Sequence, residues 1–231
     1  MLGKTDLLEA IASTNRGILA SNNDRQVIQS WAARLEDRTP HPQALAAKEQ
    51  LNGIWRLLYT TSQELLGIDN IPLYKLGQIY QCVYLDEARI YNLAEVVGLP
   101  QLGGLVSVSA QFEAVSDRRV NVAFERGVFG LQSLLGYETP LSFIQKLRDQ
   151  HKLPFWQGLD FRYYRDRQSG WLEVTYLDVD LRISRGNQGS PFVLKKARGS
   201  ASCSTRGLQA TPLPDVEARP ESDVKALALR S

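Results

Sequence analysis

The chain is poor in the residues from which metal and redox sites are usually built. It holds two cysteines, two histidines and one methionine in 231 residues. Cys82 and Cys203 lie far apart, the second in what reads as a loose tail, so isolated thiols of a reducing compartment fit better than a structural disulfide. His41 and His151 stand beside Pro42 and Lys152 in loop-like contexts. Neither has a second His or Cys at ligand spacing, so both read as solvated loop side chains and no metal is expected. An excess of one charge is also lacking: 27 Lys and Arg face 25 Asp and Glu, for a net charge of +2. No basic run exceeds a few residues, which argues against a nucleic-acid binder with a large basic face.

Long apolar runs are missing as well. The longest uncharged stretch, Val96 to Phe112, is interrupted by Gly98, Pro100, Gly103, Gly104, Ser107 and Ser109, so no segment qualifies as a membrane span. The opening "MLGKTDLLEA" has neither an apolar signal core nor an Arg- and Ser-rich presequence, and the domain is expected to start almost at Met1. Phosphate loops, nucleophile elbows and dinucleotide fingerprints are absent too. "GLPQLGGL" lacks their spacing and reads as a glycine-rich turn.

Hydropathy patterning divides the chain into three parts: a helical arm over residues 1–50, a β domain over 51–198 and a disordered tail over 199–231. In the arm, Asp6 and Glu9 form an N-cap and N3 pair ahead of an apolar side made by Leu7, Leu8 and Ile11, with Gly17 as terminator. Ser21 to Asp24 opens a second helix with Val27, Ile28, Trp31 and Leu35 on one face. Pro40 and Pro42 break it, and a helical turn over Ala44 to Gln50 leads to the first strand.

From Gly53 the period becomes two. In "LNGIWRLLYTTS" (51–62), Trp55, Leu57 and Tyr59 share one face, and Ile54, Arg56, Leu58 and Thr60 the other. "QIYQCVYL" and "RIYNLAEV" flank a hairpin-length turn, and "LVSVSAQFEAV" alternates cleanly before "SDRR" turns it into "VNVAFE". "DFRYYR", "WLEVTYL", "LRIS" and "PFVLKK" follow. Eight or nine strands with mostly short connections indicate an antiparallel barrel or sandwich, a mainly β fold. Between Arg126 and Phe161 the pattern lapses, and Thr139-Pro140 caps a short helix carrying Leu141, Ile144 and Leu147.

"YLDVDLRISRG" is the most enzyme-like stretch. Asp178 and Asp180 at i and i+2 could cooperate in acid–base work. The same aspartates could instead satisfy turn amides and pair with nearby arginines, the reading favoured here. No catalytic residue is assigned, and the chain is not expected to be an enzyme.

"TNRG" (14–17), "LNGIWRLLYTTS" (51–62), "IYQ" (79–81) and "TYLDVDLRISRGNQGSPFVL" (175–194) resemble, in order and spacing, the plastid lipid-associated protein family, also called plastid fibrillins. The likeness covers roughly residues 5–196. It implies a lipocalin-like antiparallel barrel that binds or presents a small hydrophobic molecule such as a prenyl quinone or carotenoid. It further implies attachment to photosynthetic membranes or to the lipid bodies associated with them. The chain is accordingly expected to be cytoplasmic and peripheral to thylakoid membranes or lipid bodies, without a cofactor or nucleic acid. A coat or scaffold that recruits a prenyl-lipid enzyme, without a ligand of its own, is the second reading. The family positions here are Gly53, Trp55, Asp178, Asp180 and Arg182; Gly53-x-Trp55 is similar to the lipocalin opening motif. Plant members carry a transit peptide that this chain lacks, which points to a photosynthetic bacterium.

For such a barrel, Trp55 is expected at the floor, with Arg56 or Arg182 packed over it from outside. Tyr59, Tyr80, Tyr84, Phe112, Phe124, Tyr176 and Phe192 are the other wall candidates, although alternation does not reveal which face is inward. "GVFGLQSLLGY" (127–137) is uncharged. As a loop between strands it could dip into a lipid surface through Phe129, Leu131, Leu134 and Leu135, followed by Lys146 and Arg148 for anionic head groups.

Overall fold

The protein is described by a computed structural model over residues 3–62, 66, 75–98, 102–163, 169–187 and 189–197. Cys203 and the tail from residue 199 lie outside the described residues. The arm holds α1 (Lys4–Ala12), α2 (Asn22–Glu36) and α3 (Lys48–Leu51). Helix α1 begins earlier than the sequence indicates: Gly3 is its N-cap, and Asp6 is the third helical residue, accepting the Gly3 N–H at 3.0 Å. Helix α2 opens as read, with Ser21 and Asp24 exchanging backbone-to-side-chain hydrogen bonds in a capping box. Its buried face is Ile28, Ala32 and Leu35, whereas Val27 points to solvent.

Among the described residues nine strands follow: β1 (Gly53–Thr60), β2 (Lys75–Tyr84), β3 (Arg89–Val97), β4 (Gly104–Ala114), β5 (Arg119–Leu131), β6 (Leu159–Arg162), β7 (Ser169–Leu177), β8 (Leu181–Gly186) and β9 (Pro191–Lys196). Two helices, α4 (Gln132–Leu135) and α5 (Pro140–Asp149), stand between β5 and β6. Thr139 caps α5 and Pro140 is at its start, as the dipeptide indicates. Neighbour follows neighbour in the order β1-β2-β3-β4-β5-β7-β8-β9, and β9 returns to β1, so eight antiparallel strands close a barrel. The long strand β5 changes partner along its length. Arg119–Ala123 pair with β7, and Arg126–Phe129 pair with β6, which carries the wall past the barrel rim.

Apolar side chains pack in three zones. Inside the barrel, Trp55, Leu57, Ile79, Val83, Ala94, Val174, Leu177 and Leu194 form one cluster. On the outer wall, Ile54, Cys82, Tyr84, Tyr91, Leu93, Leu105 and Val128 lie under Leu135 of α4 and Phe143, Ile144 and Leu147 of α5. Elsewhere on that wall, Tyr59, Tyr176, Leu181, Ile183 and Val193 lie under Leu7, Ile11, Ile28 and Leu35 of α1 and α2. Much of the sheet is therefore greasy on both faces, which is why alternation could not name the inward one. Bulges complicate the pattern further. Register shifts between Leu57 and Tyr59 and between Val174 and Tyr176 reverse the facing of every residue beyond them.

"TNRG" proves to be a strut. Strands β1 and β2 pair only from Gly53 to Arg56, and the chain at Arg16 occupies the gap above. Arg16 bridges Tyr59 in parallel fashion, its carbonyl accepts the Thr60 N–H at 3.0 Å, and its Nη2 donates to the Leu76 carbonyl at 2.5 Å. Gly17 does not terminate α1, which ends at Ala12. It has φ of +106°, and a Cβ there would meet the Thr60 carbonyl oxygen at 2.1 Å, so only glycine permits so close an approach.

Candidate functional site

One end of the barrel is closed by the N-terminal arm. At the closed end, the segment around α3 plugs the bottom: Ala44 and Leu51 are buried, and the Leu45 N–H donates to the Asp117 carbonyl at 2.9 Å. Trp55 lies on this plug, fully buried, with its Nε1 donating to the Leu51 carbonyl at 2.9 Å. Two cations flank its ring. The Arg182 guanidinium is 4.9 Å and the Lys196 ammonium 5.3 Å from the ring centroid, distances at which the indole quadrupole attracts them. Lys196 also donates to the carbonyls of Glu49 and Gln50 at 3.0 and 2.7 Å, fastening the plug to β9.

Arg182 reaches Trp55 from inside the barrel, not from outside, because it shares a face with Leu177 and Leu194 in the register of β8. Arg56 faces solvent. The Arg182 Nη2 donates to the Gln81 side-chain Oε1, and Gln81 Nε2 donates in turn to Asn92 Oδ1 at 3.0 Å. Among the described residues the Arg182 Nε has no hydrogen-bond partner, and neither has the buried hydroxyl of Ser184, two residues along the same inner face. Among the described residues no carboxylate pairs with Arg182. Burial pulls its pKa down to about 9. Leaving a buried charge unpaired costs several kcal/mol, and what these groups can do chemically is donate to an oxygen acceptor.

Around the floor the interior is filled by its own side chains. The cavity beside Arg182, under Leu45, Ile90, Phe112 and Leu172, measures about 20 Å³, room for roughly one water. Toward the other end the packing loosens. The inward-facing Val106, Val108, Val122 and Phe124 of β4 and β5 are only half-buried. The same face continues beyond the rim as Phe129, Leu159 and Phe161, 50%, 66% and 46% exposed. Phe161 covers Gly127, where a Cβ would come within 2.5 Å of the ring. Phe155 and Trp156, 87% and 65% exposed, form an edge-on aromatic pair at 5.3 Å in the loop before β6.

Of the expected wall residues, the structure brings Trp55, Phe112, Phe124 and Phe192 to the inner face. The four tyrosines face outward. Tyr59 and Tyr176 lie beneath the N-terminal helices, placed there by the two bulges, and Tyr80 and Tyr84 lie beneath α4 and α5. The segment 127–137 is not a loop: β5 runs to Leu131 and α4 follows. Phe129 and Leu134 are exposed, Leu131 is half-buried, and Leu135 is fully buried, out of reach of a lipid surface. Phe155, Trp156, Leu159 and Phe161 complete the rim and were missed, because "LPFWQGLDF" has no period; two adjacent aromatics in a non-periodic stretch were the available signal.

Asp178 and Asp180 serve the hairpin they open. Asp178 accepts from the backbone N–H groups of Asp180 and Leu181 at 2.9 and 2.7 Å, from the Tyr176 hydroxyl at 2.7 Å and from Lys4 Nζ at 2.8 Å. Burial alone would raise its pKa, but Lys4 and these donors outweigh it and hold the carboxyl at about 2. Asp180 takes the second contact to Lys4. The pair thus ties the start of α1 to the β7–β8 turn.

No solved structure matches the chain. The PAP_fibrillin signature matches residues 1–195. The probable plastid-lipid-associated protein 2 of Arabidopsis thaliana is 32% identical over 217 residues, covering 84% of this chain and 70% of its own length. The light-induced chloroplastic protein of Solanum tuberosum is 32% identical, with 84% of this chain and 66% of its own length covered. Plastoglobulin-1 of Pisum sativum is 32% identical, with 85% and 61% covered. The chain spans about two thirds of the length of these relatives. A closed barrel opened by Gly53-x-Trp55, with that signature running through it, makes the chain a member of the PAP_fibrillin family of plastid lipid-associated proteins.

Proposed function

We propose that this protein rests peripherally on a lipid surface, a lipid body or photosynthetic membrane, and takes part of one hydrophobic molecule into the loosely packed half of its barrel for carriage or presentation. One observation carries the reading. The exposed apolar rim made by Phe129, Phe155, Trp156, Leu159 and Phe161 is continuous with the half-buried inner wall of β4 and β5. Apolar surface removed from water contributes about 25 cal/mol per Å², and a rim of aromatics suits the boundary between water and lipid. Among the described residues no helix is long and apolar enough to cross a membrane, so attachment would fall to such a rim. The names of the plastid lipid-associated and plastoglobulin relatives agree with this setting.

The filled floor limits the cargo. A prenyl quinone, a carotenoid or another lipid would insert one end and leave the rest in the lipid phase. The unpaired donors of Arg182 and Ser184 favour an inserted end that bears a carbonyl oxygen. The tightness of that floor, with a cavity of about 20 Å³, favours a second reading: a coat or scaffold for lipid bodies that holds no cargo and recruits an enzyme of prenyl-lipid synthesis.

Organic extraction of freshly purified protein separates the two, because only a carrier yields stoichiometric lipid. A short-chain benzoquinone titrated against tryptophan fluorescence gives the in vitro counterpart. Saturable one-to-one quenching that weakens at least tenfold in Phe124→Glu supports carriage. Linear quenching, equal in wild type and variant and without co-purified lipid, would leave the coat reading alone.

A further inference from the structure

A second cavity, of about 170 Å³, lies outside the barrel between the outer face of β3–β5 and the end of α5. Its lining differs from the greasy cluster beside it. Four guanidinium groups line it, from Arg89, Arg126, Arg148 and Arg162, together with His151. On the strand side it meets Ser107 and Ser109, two hydroxyls on the outward face of β4.

The charges do not cancel. Arg126 is fully committed: it grips Asp160 with two hydrogen bonds at 2.9 and 2.7 Å and donates to the carbonyls of Leu147 and Gln150 at 2.9 and 2.8 Å. It forms a rigid cationic wall. Arg148 pairs with Glu87 and lies over the Tyr84 ring at 4.7 Å. The contact of Arg89 with Glu125, at 3.7 Å, is longer than a hydrogen bond. Arg162 makes no ion pair among the described residues, and it is exposed at the cavity edge. Four cations thus face the three carboxylates of Glu87, Glu125 and Asp160. The excess is positive, and the groups with capacity to spare are donors.

Ser107 gives the independent signal. It is 1% exposed, it lines this cavity, and its hydroxyl has no hydrogen-bond partner among the described residues. A buried hydroxyl is nearly always satisfied in a native protein, so its orphan state marks a place where a hydrogen-bonding group belongs, and its O–H can donate to an acceptor. A cavity whose lining sets four guanidinium groups and the Ser107 and Ser109 hydroxyls against the one carboxylate of Glu125 matches an oxyanion with several oxygens.

We propose that this cavity is a binding site for a phosphoryl-type anion. Its volume admits the phosphoryl group with a few further atoms attached. Two sources share that chemistry, a free phosphate and the head group of a lipid. The wall geometry agrees with the second, since Arg162 adjoins the rim residue Phe161 and His151 starts the loop that carries Phe155 and Trp156. The site does not require the barrel to hold a cargo.

The test uses the full chain with two probes. Inorganic phosphate is titrated by calorimetry against chloride at matched ionic strength, and flotation is measured on phosphatidylcholine vesicles with and without phosphatidylglycerol. Ser107→Ala and Arg162→Gln are the variants, and their melting curves confirm folding. Saturable phosphate binding that weakens roughly tenfold in each variant, as for loss of one charge-assisted hydrogen bond, assigns the site to free phosphate. No response to phosphate, with the phosphatidylglycerol-dependent part of flotation lost in both variants and the phosphatidylcholine part kept, assigns it to a head group. Folded variants that match wild type with both probes would overturn the site. Trp156→Asp, measured on phosphatidylcholine alone, reports the apolar rim separately.

Discussion

The Arg182 guanidinium lies 4.9 Å from the centroid of the Trp55 ring, inside the barrel and with its Nε unpartnered among the described residues. A buried cation without a carboxylate is tolerated at the expense of stability, so replacing it by an apolar side chain of similar length should not harm the fold. Arg182→Met is expected to melt at or above the wild-type temperature while its quinone quenching weakens. Trp55→Ala, which empties the floor, should lose about 3–5 kcal/mol in urea denaturation. A marked drop in stability for Arg182→Met would make that residue a structural member of the floor instead.

Acid should loosen the arm through Asp178. Its carboxyl is held at about 2 in the folded protein, against about 3.9 in an unfolded chain. A depressed carboxylate contributes stability that is fully present above pH ~4 and is lost as pH falls toward ~2, a loss of about 2 kcal/mol. Urea midpoints measured across this window should fall in the wild type. In Asp178→Asn the acid limb should be flatter and stability at neutral pH lower, because Lys4 loses its buried partner.

Gly17 tests the strut between β1 and β2. Gly17→Ala places a Cβ against the Thr60 carbonyl at a positive φ and should cost roughly 2 kcal/mol or more. Gly189 has a positive φ of +69° but nothing within 4 Å of a Cβ, so Gly189→Ala should cost about 1 kcal/mol. Equal losses in the two variants would show that the close approach at Thr60 is not what selects glycine. Hydrogen exchange should also quicken at the Thr60 amide in the first variant only.

Two leucines one residue apart divide surface from core. Leu134 is 52% exposed and Leu135 is fully buried. Leu134→Asp should keep its melting temperature and float less on phosphatidylcholine vesicles. Leu135→Asp should unfold, since it places a charge beneath Phe143 and Ile144. Undiminished flotation of both Leu134→Asp and Trp156→Asp would remove the rim as the lipid contact.

The sequence showed what depends on neighbours along the chain. The caps at Ser21 and Thr139, the turn between Tyr84 and Arg89 and the hairpin from Leu181 to Lys196 are local chemistry, and they were legible. Facing was not. Tyr80 and Tyr84 belong to a strand with apolar residues on both sides, because α5 covers its outer wall. Tyr59 and Tyr176 follow bulges that no residue type announces. The phosphoryl site draws Arg89, Ser107, Arg126 and Arg148 from three strands and a helix, so it leaves no motif to find. Arg182 was picked out by its family segment, yet its place inside the barrel follows only from its register against Leu177 and Leu194.

The plug at Trp55 and the exposed aromatic rim stand at opposite ends of the barrel. On the proposed function, loading and docking are then one event, for a molecule would slide from bilayer to lumen without wetting. Transfer would depend on how long the protein dwells on its surface, and scarcely at all on how poorly the passenger dissolves in water.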